Sequence, residues 1–376
     1  MRLLDKKYYW QPLSITESTF FKGLAILMIV GHNFMHLFPA PRENEFSFSQ
    51  ENANAFFSLI ISDPENIVRY LLSFLGHFGV QIFIFLSAYG LTRKYAGMKF
   101  GYFQFLGSRI MKIYPAFLLA IVFWAIYRAW VIEQLGILGP AKLLYWSLED
   151  VLIKITPIFN LIPDKVFTLA GPWWFIPFII QFYVVYPLLL LLSERTGGYG
   201  LSLLAFVGII LAATTDGNLG GINIFLTPLG HLPELCLGIY LAKINDKKIS
   251  LSGIAVLFIS VVFLLGLAIE QFWYFNHLSA LILMLILFSM IYKKAGKTPF
   301  VRSFILFIGG ISMPLFLVNG FLRPPLISWA IDYDNWLITL LLCFCFILIS
   351  IAVAFILHKI DTSLQRGFAL VLAKRS

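Results

Sequence analysis

The sequence predicts an all-α fold, a polytopic transmembrane helix bundle of about ten spans with both termini cytoplasmic. Three observations carry this expectation. Of 376 residues, 60% are hydrophobic and 12% charged, at a mean hydropathy of +0.86, whereas a soluble domain carries about 25% charged residues. The apolar residues gather into runs near the ~20 residues a helix needs to cross a bilayer. The positive charges cluster between these runs. A single membrane domain over residues 1–376 accounts for the chain, with no internal repeat, low-complexity tract or appended soluble module.

The runs are taken in order. Residues 17–38 follow a polar, basic stretch from Met1 to Ser14 and show no small-residue cleavage site. They read as an uncleaved span and not a signal peptide. Residues 67–92 end in Ser87, Ala88 and Gly90, then Arg93 and Lys94, which reads as close helix packing followed by interfacial anchors. Residues 112–133 follow a second basic pair, Arg109 and Lys112. Residues 173–193 open on Trp173 and Trp174 and contain Pro187. Gly197, Gly198 and Gly200 then imply tight turns before 199–215. Residues 223–242 hold His231-Leu232-Pro233-Glu234. Residues 251–269 and 335–357 carry no charge and are the cleanest spans, while 273–292 and 303–322 complete the set. Two prolines-broken outer loops of mixed charge, about 39–66 and 134–172, are too short for separate domains.

Lys and Arg concentrate in cytoplasmic segments of membrane proteins. With the N-terminus inside, 20 of the 28 fall on the cytoplasmic side. Arg42, Arg69, Arg128, Lys142, Lys154, Lys165 and Arg323 fall outside, and Lys22 lies in the first span. The net charge of +9 is thus dispersed in short clusters, which sets orientation and builds no nucleic-acid groove. Cys236, Cys343 and Cys345 lie in apolar segments without metal spacing and read as packing residues.

The first run is the most informative, because it carries Lys22, His32 and His36. At about 100° per residue, His36 lies about 40° and His32 about 80° from Lys22, one broad face. Lys22 and His32 are about 15 Å apart along the axis. Ionisable groups in hydrocarbon cost roughly 3 kcal/mol or more each, so they face a protein interior or a wet cavity. Lys22 either snorkels at the inner surface or holds an anion there. His32 is a base available near neutral pH. Arg93, Lys94, Arg109 and Lys112 form a basic cluster that anchors topology or binds a phosphate-rich donor. Trp173 and Trp174 are an aromatic belt or a platform for a sugar. Gln181 is polar within a span and needs a partner. Glu234 is a carboxylate near mid-span, a functional group or the structural partner of a buried cation. His77 and His277 read as structural.

Together these blocks resemble the acyltransferase 3 family of integral membrane acyltransferases. The matching motifs are Lys22-Gly23-Leu24-Ala25 leading to His32, Phe85 to Leu91, Arg109 to Pro115, Trp174-Phe175, Gln181-Phe182-Tyr183 with Pro187, Glu234 to Gly238, and Ile311 to Leu317. They run in family order over most of the chain. The chain departs from the pattern with Lys22 for arginine, nine residues in place of ten before His32, and Asn33 at the expected histidine position. Gln81, Ala88 and Lys112 replace aspartate, glycine and arginine, and Asn319 stands where the family often has histidine.

The resemblance implies transfer of an acyl group, most simply acetyl, from cytosolic acyl-CoA to a hydroxyl of an extracytoplasmic glycan or glycolipid. It implies a bacterial-type cytoplasmic membrane protein, with the lipid bilayer as surroundings and any hydrolase-like extracytoplasmic helper a separate protein. His32 and Lys22 are the expected catalytic pair, His32 either deprotonating the acceptor hydroxyl or briefly carrying the acyl group, and Arg93, Arg109 and Lys112 the acyl-CoA ligands. His36, Trp173, Trp174, Gln181 and Glu234 are expected in the acceptor pocket, with no metal. The rival reading is a transporter or flippase for a glycan or lipid-linked intermediate.

Overall fold

The computed structural model describes residues 7–135, 148–244 and 250–373. Arg2, Lys6, Lys142, Lys247, Lys248, Lys374 and Arg375 of the orientation argument lie outside them. The described chain is helical almost throughout. Its helices are α1 (Ile15–Met35), α2 (Gln50–Ser62), α3 (Ile67–Leu75), α4 (Gly79–Tyr95), α5 (Tyr102–Leu135), α6 (Leu148–Ile155), α7 (Phe175–Thr196) and α8 (Gly198–Thr214). They continue as α9 (Leu232–Lys243), α10 (Gly253–Ala268), α11 (Glu270–Trp273), α12 (Asn276–Ala295), α13 (Pro299–Gly310), α14 (Ser312–Leu322), α15 (Pro324–Tyr333) and α16 (Trp336–Ala373). Two small antiparallel ribbons accompany them. β1 (Lys7–Tyr9) pairs with β4 (Ser250–Ser252), and β2 (Asn218–Leu219) with β3 (Ile222–Asn223).

Six helical stretches are long and apolar enough to cross a membrane, or seven if α13 and α14, bent by 76°, make one broken span. Every one of the ten apolar runs contains helix, but four do not form one straight span. α8 and α10 have 17 and 16 residues, about 25 Å at 1.5 Å per residue against a core of about 30 Å. Run 223–242 becomes two 3₁₀ turns and the 12-residue α9, since Pro228 and Pro233 interrupt it. The bend at Ile311 has the same cause: Pro314 lacks the N–H that would bond the Gly310 carbonyl.

α1 is the central post. A capping box starts it: Ser14 Oγ accepts from the Glu17 N–H at 3.1 Å and Glu17 Oε2 accepts from the Ser14 N–H at 2.9 Å. It packs against α3, α4, α13, α14 and α16 and is largely enclosed, whereas α16 is largely on the outside. One face of α1 (Ile29, Val30, Phe34) joins a core with α5, α7 and α14, and the other (Phe20, Phe21, Ala25) a core with α4 and α12. Exposed Leu118, Val122 and Ile126 on α5, and Leu257, Phe258 and Leu264 on α10, form the lipid-facing surface of a multi-pass membrane protein.

The helices approach closely at small residues, as membrane bundles do. Ala88 of α4 meets Gly238 of α9, where a methyl on the glycine would lie 2.9 Å from the Ala88 Cβ and 2.7 Å from the Phe85 carbonyl. At Gly309 of α13 a methyl would overlap the Thr19 carbonyl of α1, while at the neighbouring Gly310 it would meet open space. Gly309→Ala should therefore destabilise the protein by about 1–3 kcal/mol and Gly310→Ala should not. Thermal unfolding of both variants in detergent checks this, and equal melting temperatures would contradict the packing account.

Candidate functional site

α3 and α4 are two halves of one membrane-length stretch, interrupted by a 3₁₀ turn at Gly76–Phe78. α1 packs a histidine against the carbonyls at the end of α3, of which that of Leu72 also accepts from the Gly76 N–H. His32 Nδ1 lies 3.2 Å from the Leu72 carbonyl and 3.0 Å from the Ser73 carbonyl. Carbonyls only accept, so Nδ1 carries the hydrogen and Nε2 keeps its lone pair. The ring is 3% exposed. Gly76 makes the approach possible: a methyl there would stand 2.6 Å from the His32 Cβ.

The His32 ring stacks on His36, with centroids 4.8 Å apart at 24°, and meets His77 edge-on at 5.6 Å. His36 is held at both nitrogens. Arg323 Nη1 approaches His36 Nε2 at 3.0 Å, and since arginine only donates, Nε2 accepts. His36 Nδ1 then donates to Glu43 Oε1 at 3.2 Å. Arg323 Nη1 also donates to the Asn33 carbonyl. Asn33 Nδ2 donates to Asn319 Oδ1 at 2.7 Å, and Asn319 bonds back to the Leu315 and Phe316 carbonyls of its own helix. The two asparagines that stand where the resemblance expects histidines are thus partners of each other.

Glu43 and Glu45 come from the segment after α1, which folds back over this cluster. Burial works to raise the Glu43 carboxyl, but the hydrogen bond from His36 and the nearby His32 outweigh it and hold it below the usual carboxylate range. Burial, then the neighbouring Glu43, push Glu45 the other way. Two carboxyl groups on one wall therefore have opposite proton affinities. The segment is fastened by Ser73 Oγ to the Pro41 carbonyl, Trp273 Nε1 to the Asn44 carbonyl and Asn223 Nδ2 to the Phe46 carbonyl, each at 2.7 Å.

These groups line a cavity of about 280 Å³ that includes His32, His36, Glu43, His77, Trp174 and Arg323. A second cavity, of about 390 Å³, lies toward the other end of α1 and is lined by Lys22, Ser87, Lys94, Arg109, Lys112 and Tyr183. No carboxylate lines it. Arg109 donates to the Tyr95 hydroxyl at 3.0 Å, and Lys94 sits over the Tyr95 ring at 5.1 Å. Ile29, Val80 and Phe316 belong to both walls, so the two cavities abut at an apolar constriction. A chamber lined by four cationic side chains thus backs onto a chamber holding a buried imidazole.

The structure brings Lys22, Arg109 and Lys112 together, and His32, His36 and Trp174 together. The other expected site residues sit elsewhere. Arg93 reaches the Ala242 carbonyl at 3.4 Å, and Lys94, one position on, takes the cavity wall. Trp173 is fully buried, donates to the Leu317 carbonyl at 2.8 Å and packs on Phe117 and Phe321. It is a core residue, because the turn at Gly171–Trp174 points successive rings in different directions. Gln181 pairs with Asn160 at 2.7 Å and 3.1 Å, away from both chambers. Glu234 lies beside His231 and His277. Glu43 and Arg323 were not expected. Both come from segments that only the fold brings to α1, although Arg323 as a charge at the end of an apolar run is a visible signal.

The Glu43 pair makes a pH prediction. A carboxylate held below its ordinary value contributes stability above that ordinary value of about 4.5, lost as pH falls through the lower folded value. Glu43→Gln should lower the melting temperature at pH 7 and flatten its fall below pH ~4.5. Melting curves from pH 7 to 4 that keep the same slope in the variant would refute the assignment.

A family model described as an acyltransferase domain matches residues 16–359. No curated protein and no solved structure matches the chain. With nearly the whole chain matched, buried base and cationic chamber included, the protein belongs to the acyltransferase 3 family, an assignment that supports membrane acyltransferase activity.

Proposed function

We propose that the protein is an O-acyltransferase of a bacterial inner membrane, with both termini cytoplasmic, moving an acetyl group from cytosolic acetyl-CoA to a hydroxyl of an extracytoplasmic glycan or glycolipid. The observation that supports this most is His32: its Nδ1–H is tied to two carbonyls, its Nε2 is free, and its cavity abuts a chamber of four uncompensated cations. In this reading the CoA phosphates lie against Lys22, Lys94, Arg109 and Lys112. The thin pantetheine arm passes Ile29, Val80 and Phe316 and presents the thioester to His32. The acceptor enters from the opposite face, beside His77 and with a sugar ring against Trp174. A separate extracytoplasmic protein could deliver it.

The chemistry follows from the tautomer. As the acceptor oxygen bonds the thioester carbonyl carbon, its proton passes to His32 Nε2. The Leu72 and Ser73 carbonyls stabilise the imidazolium at Nδ1, the role a carboxylate plays in a catalytic triad. Arg323 Nη2 offers donors to the oxygen of the tetrahedral intermediate. Collapse breaks the C–S bond, and the proton on Nε2 goes to the leaving thiolate. His36, spent on Arg323 and Glu43, orients the cluster and transfers no proton.

Purified protein in liposomes, given labelled acetyl-CoA inside and envelope glycans outside, should place label on sugar. His32→Ala should cut that transfer by about 10²–10⁴-fold with expression intact, and near-normal transfer would sink the proposal. Arg109→Gln should instead raise the KM for acetyl-CoA by about 10–100-fold, the loss of one charge-assisted hydrogen bond, with kcat little changed. An unchanged KM would remove the donor from that chamber.

A further inference from the structure

A second histidine cluster lies outside the two chambers. His231 caps the start of α9, Glu234 is in its first turn, and His277 is in the first turn of α12. All three are buried, at 2%, 1% and 6% exposure. The rings of His231 and His277 stack with centroids 5.2 Å apart at 24°. One ligand atom from each residue lies within 4.8 Å of the others.

The hydrogen bonds determine what these atoms offer. His231 Nε2 lies 2.9 Å from the Phe225 carbonyl, so Nε2 carries the hydrogen and Nδ1 a lone pair. That Nδ1 has no hydrogen-bond partner and faces Glu234 Oε2, also without one, at 3.7 Å. His277 Nε2 likewise has no hydrogen-bond partner, and in the tautomer with hydrogen on Nδ1 it too presents a lone pair. Three lone-pair donors thus converge in a buried space with nothing to share. Buried polar atoms are otherwise hydrogen-bonded with few exceptions, and three in one place require a common partner. They do not satisfy one another directly, since the 3.7 Å between His231 Nδ1 and Glu234 Oε2 is too long for a hydrogen bond. Zn–N bonds of about 2.0–2.1 Å set neighbouring ligand atoms of a tetrahedral site roughly 3.3 Å apart; here His231 Nδ1 and Glu234 Oε2 are 3.7 Å apart and all three atoms lie within 4.8 Å, so a small inward movement of the side chains would complete the site.

We propose that His231, Glu234 and His277 form a binding site for a divalent transition metal, with zinc the best match to two imidazoles and one carboxylate. The sequence leads to an expectation of no metal; His231 and Glu234 are three apart, and the third residue, His277, joins them only through the fold. The contrast with His32, His36 and Glu43 supports the choice of cluster. Those three also lie within ligand reach of one another, but both nitrogens of His36 and the Nδ1 of His32 are already bonded. In the second cluster the metal ties α9 to α12. It also fixes the His277 ring, which lies near the Glu45 backbone. Glu45 lines the His32 cavity, so the metal steadies the segment that carries Glu43.

The test uses the full chain purified in detergent on a tag without histidines and without chelators, with metal measured by plasma mass spectrometry. About one zinc per protein is expected, and cobalt-exchanged protein should show the visible bands of four-coordinate Co²⁺. Glu234→Gln and His277→Gln should each cut metal content roughly tenfold, while His36→Gln should leave it unchanged. Protein that stays metal-free after zinc exposure and desalting overturns the proposal, as does metal lost with His36→Gln but retained in the other two. If the variants do not fold, X-ray absorption at the zinc edge of the wild-type protein decides: two imidazoles support the site, and none overturns it.

Discussion

An imidazole inside an apolar bundle is costly without a partner, and the end of α3 supplies one for His32. The Leu72 carbonyl still accepts from the Gly76 N–H of its own helix, so the Ser73 carbonyl, nearer at 3.0 Å, is the acceptor whose loss would leave the His32 N–H poorly paired. That costs about 1–3 kcal/mol, more where no water can enter. Where α3 gives way to the turn at Gly76–Phe78, both carbonyls face α1. This single arrangement fixes the ring's position, its tautomer and the direction of its free lone pair. The glycine at the turn is what lets the backbone come that near.

The rest of the site is fastened outward from that contact. His36 stacks on His32, and Arg323 and Glu43 hold His36 from opposite sides. Arg323 ends α14, the second half of the bent pair, so the bend at Ile311 is what aims the guanidinium at α1. Glu43 comes from a segment whose carbonyls at Pro41, Asn44 and Phe46 are claimed by three different parts of the chain. A loop with its backbone bonded in this way behaves as part of the scaffold, although loops are usually the mobile part of a protein. Removing any one anchor loosens the carboxylate that orients His36 before it touches His32.

Periodicity and charge made the membrane class and the face of α1 legible, because burying an ionisable residue in an apolar run leaves a clear mark. The cationic chamber was also readable, since Arg109 and Lys112 lie three apart on one helix. Arg93 and Lys94 show the limit. Both sit in the last turn of α4, and a one-residue rotation decides which faces the cavity, something composition cannot resolve. Trp173 and Trp174 fail for the same reason within a 3₁₀ turn. Glu43 and Arg323 were illegible in a deeper sense: a mixed-charge loop and a span-end arginine acquire meaning only through contacts far apart in sequence. Among the described residues six or seven helical stretches of membrane length answer ten apolar runs, because hydropathy registers apolar runs but not the prolines and glycines that split them into shorter helices.

The constriction at Ile29, Val80 and Phe316 bears on the rival reading of a transporter. A flippase must pass a hydrated sugar along its whole path, and each hydroxyl stripped of water without a replacement hydrogen bond costs about 1–3 kcal/mol on mutational scales. Three apolar side chains between the chambers offer no such replacement. A single thin chain carrying a thioester loses far less by crossing them, and only its tip needs to reach His32. The same residues that would obstruct transport would also keep water from one chamber out of the other, protecting an activated acyl group from hydrolysis. Cations on one side of a dry neck and a free imidazole nitrogen on the other suit a protein that moves a small group and leaves both larger molecules where they began.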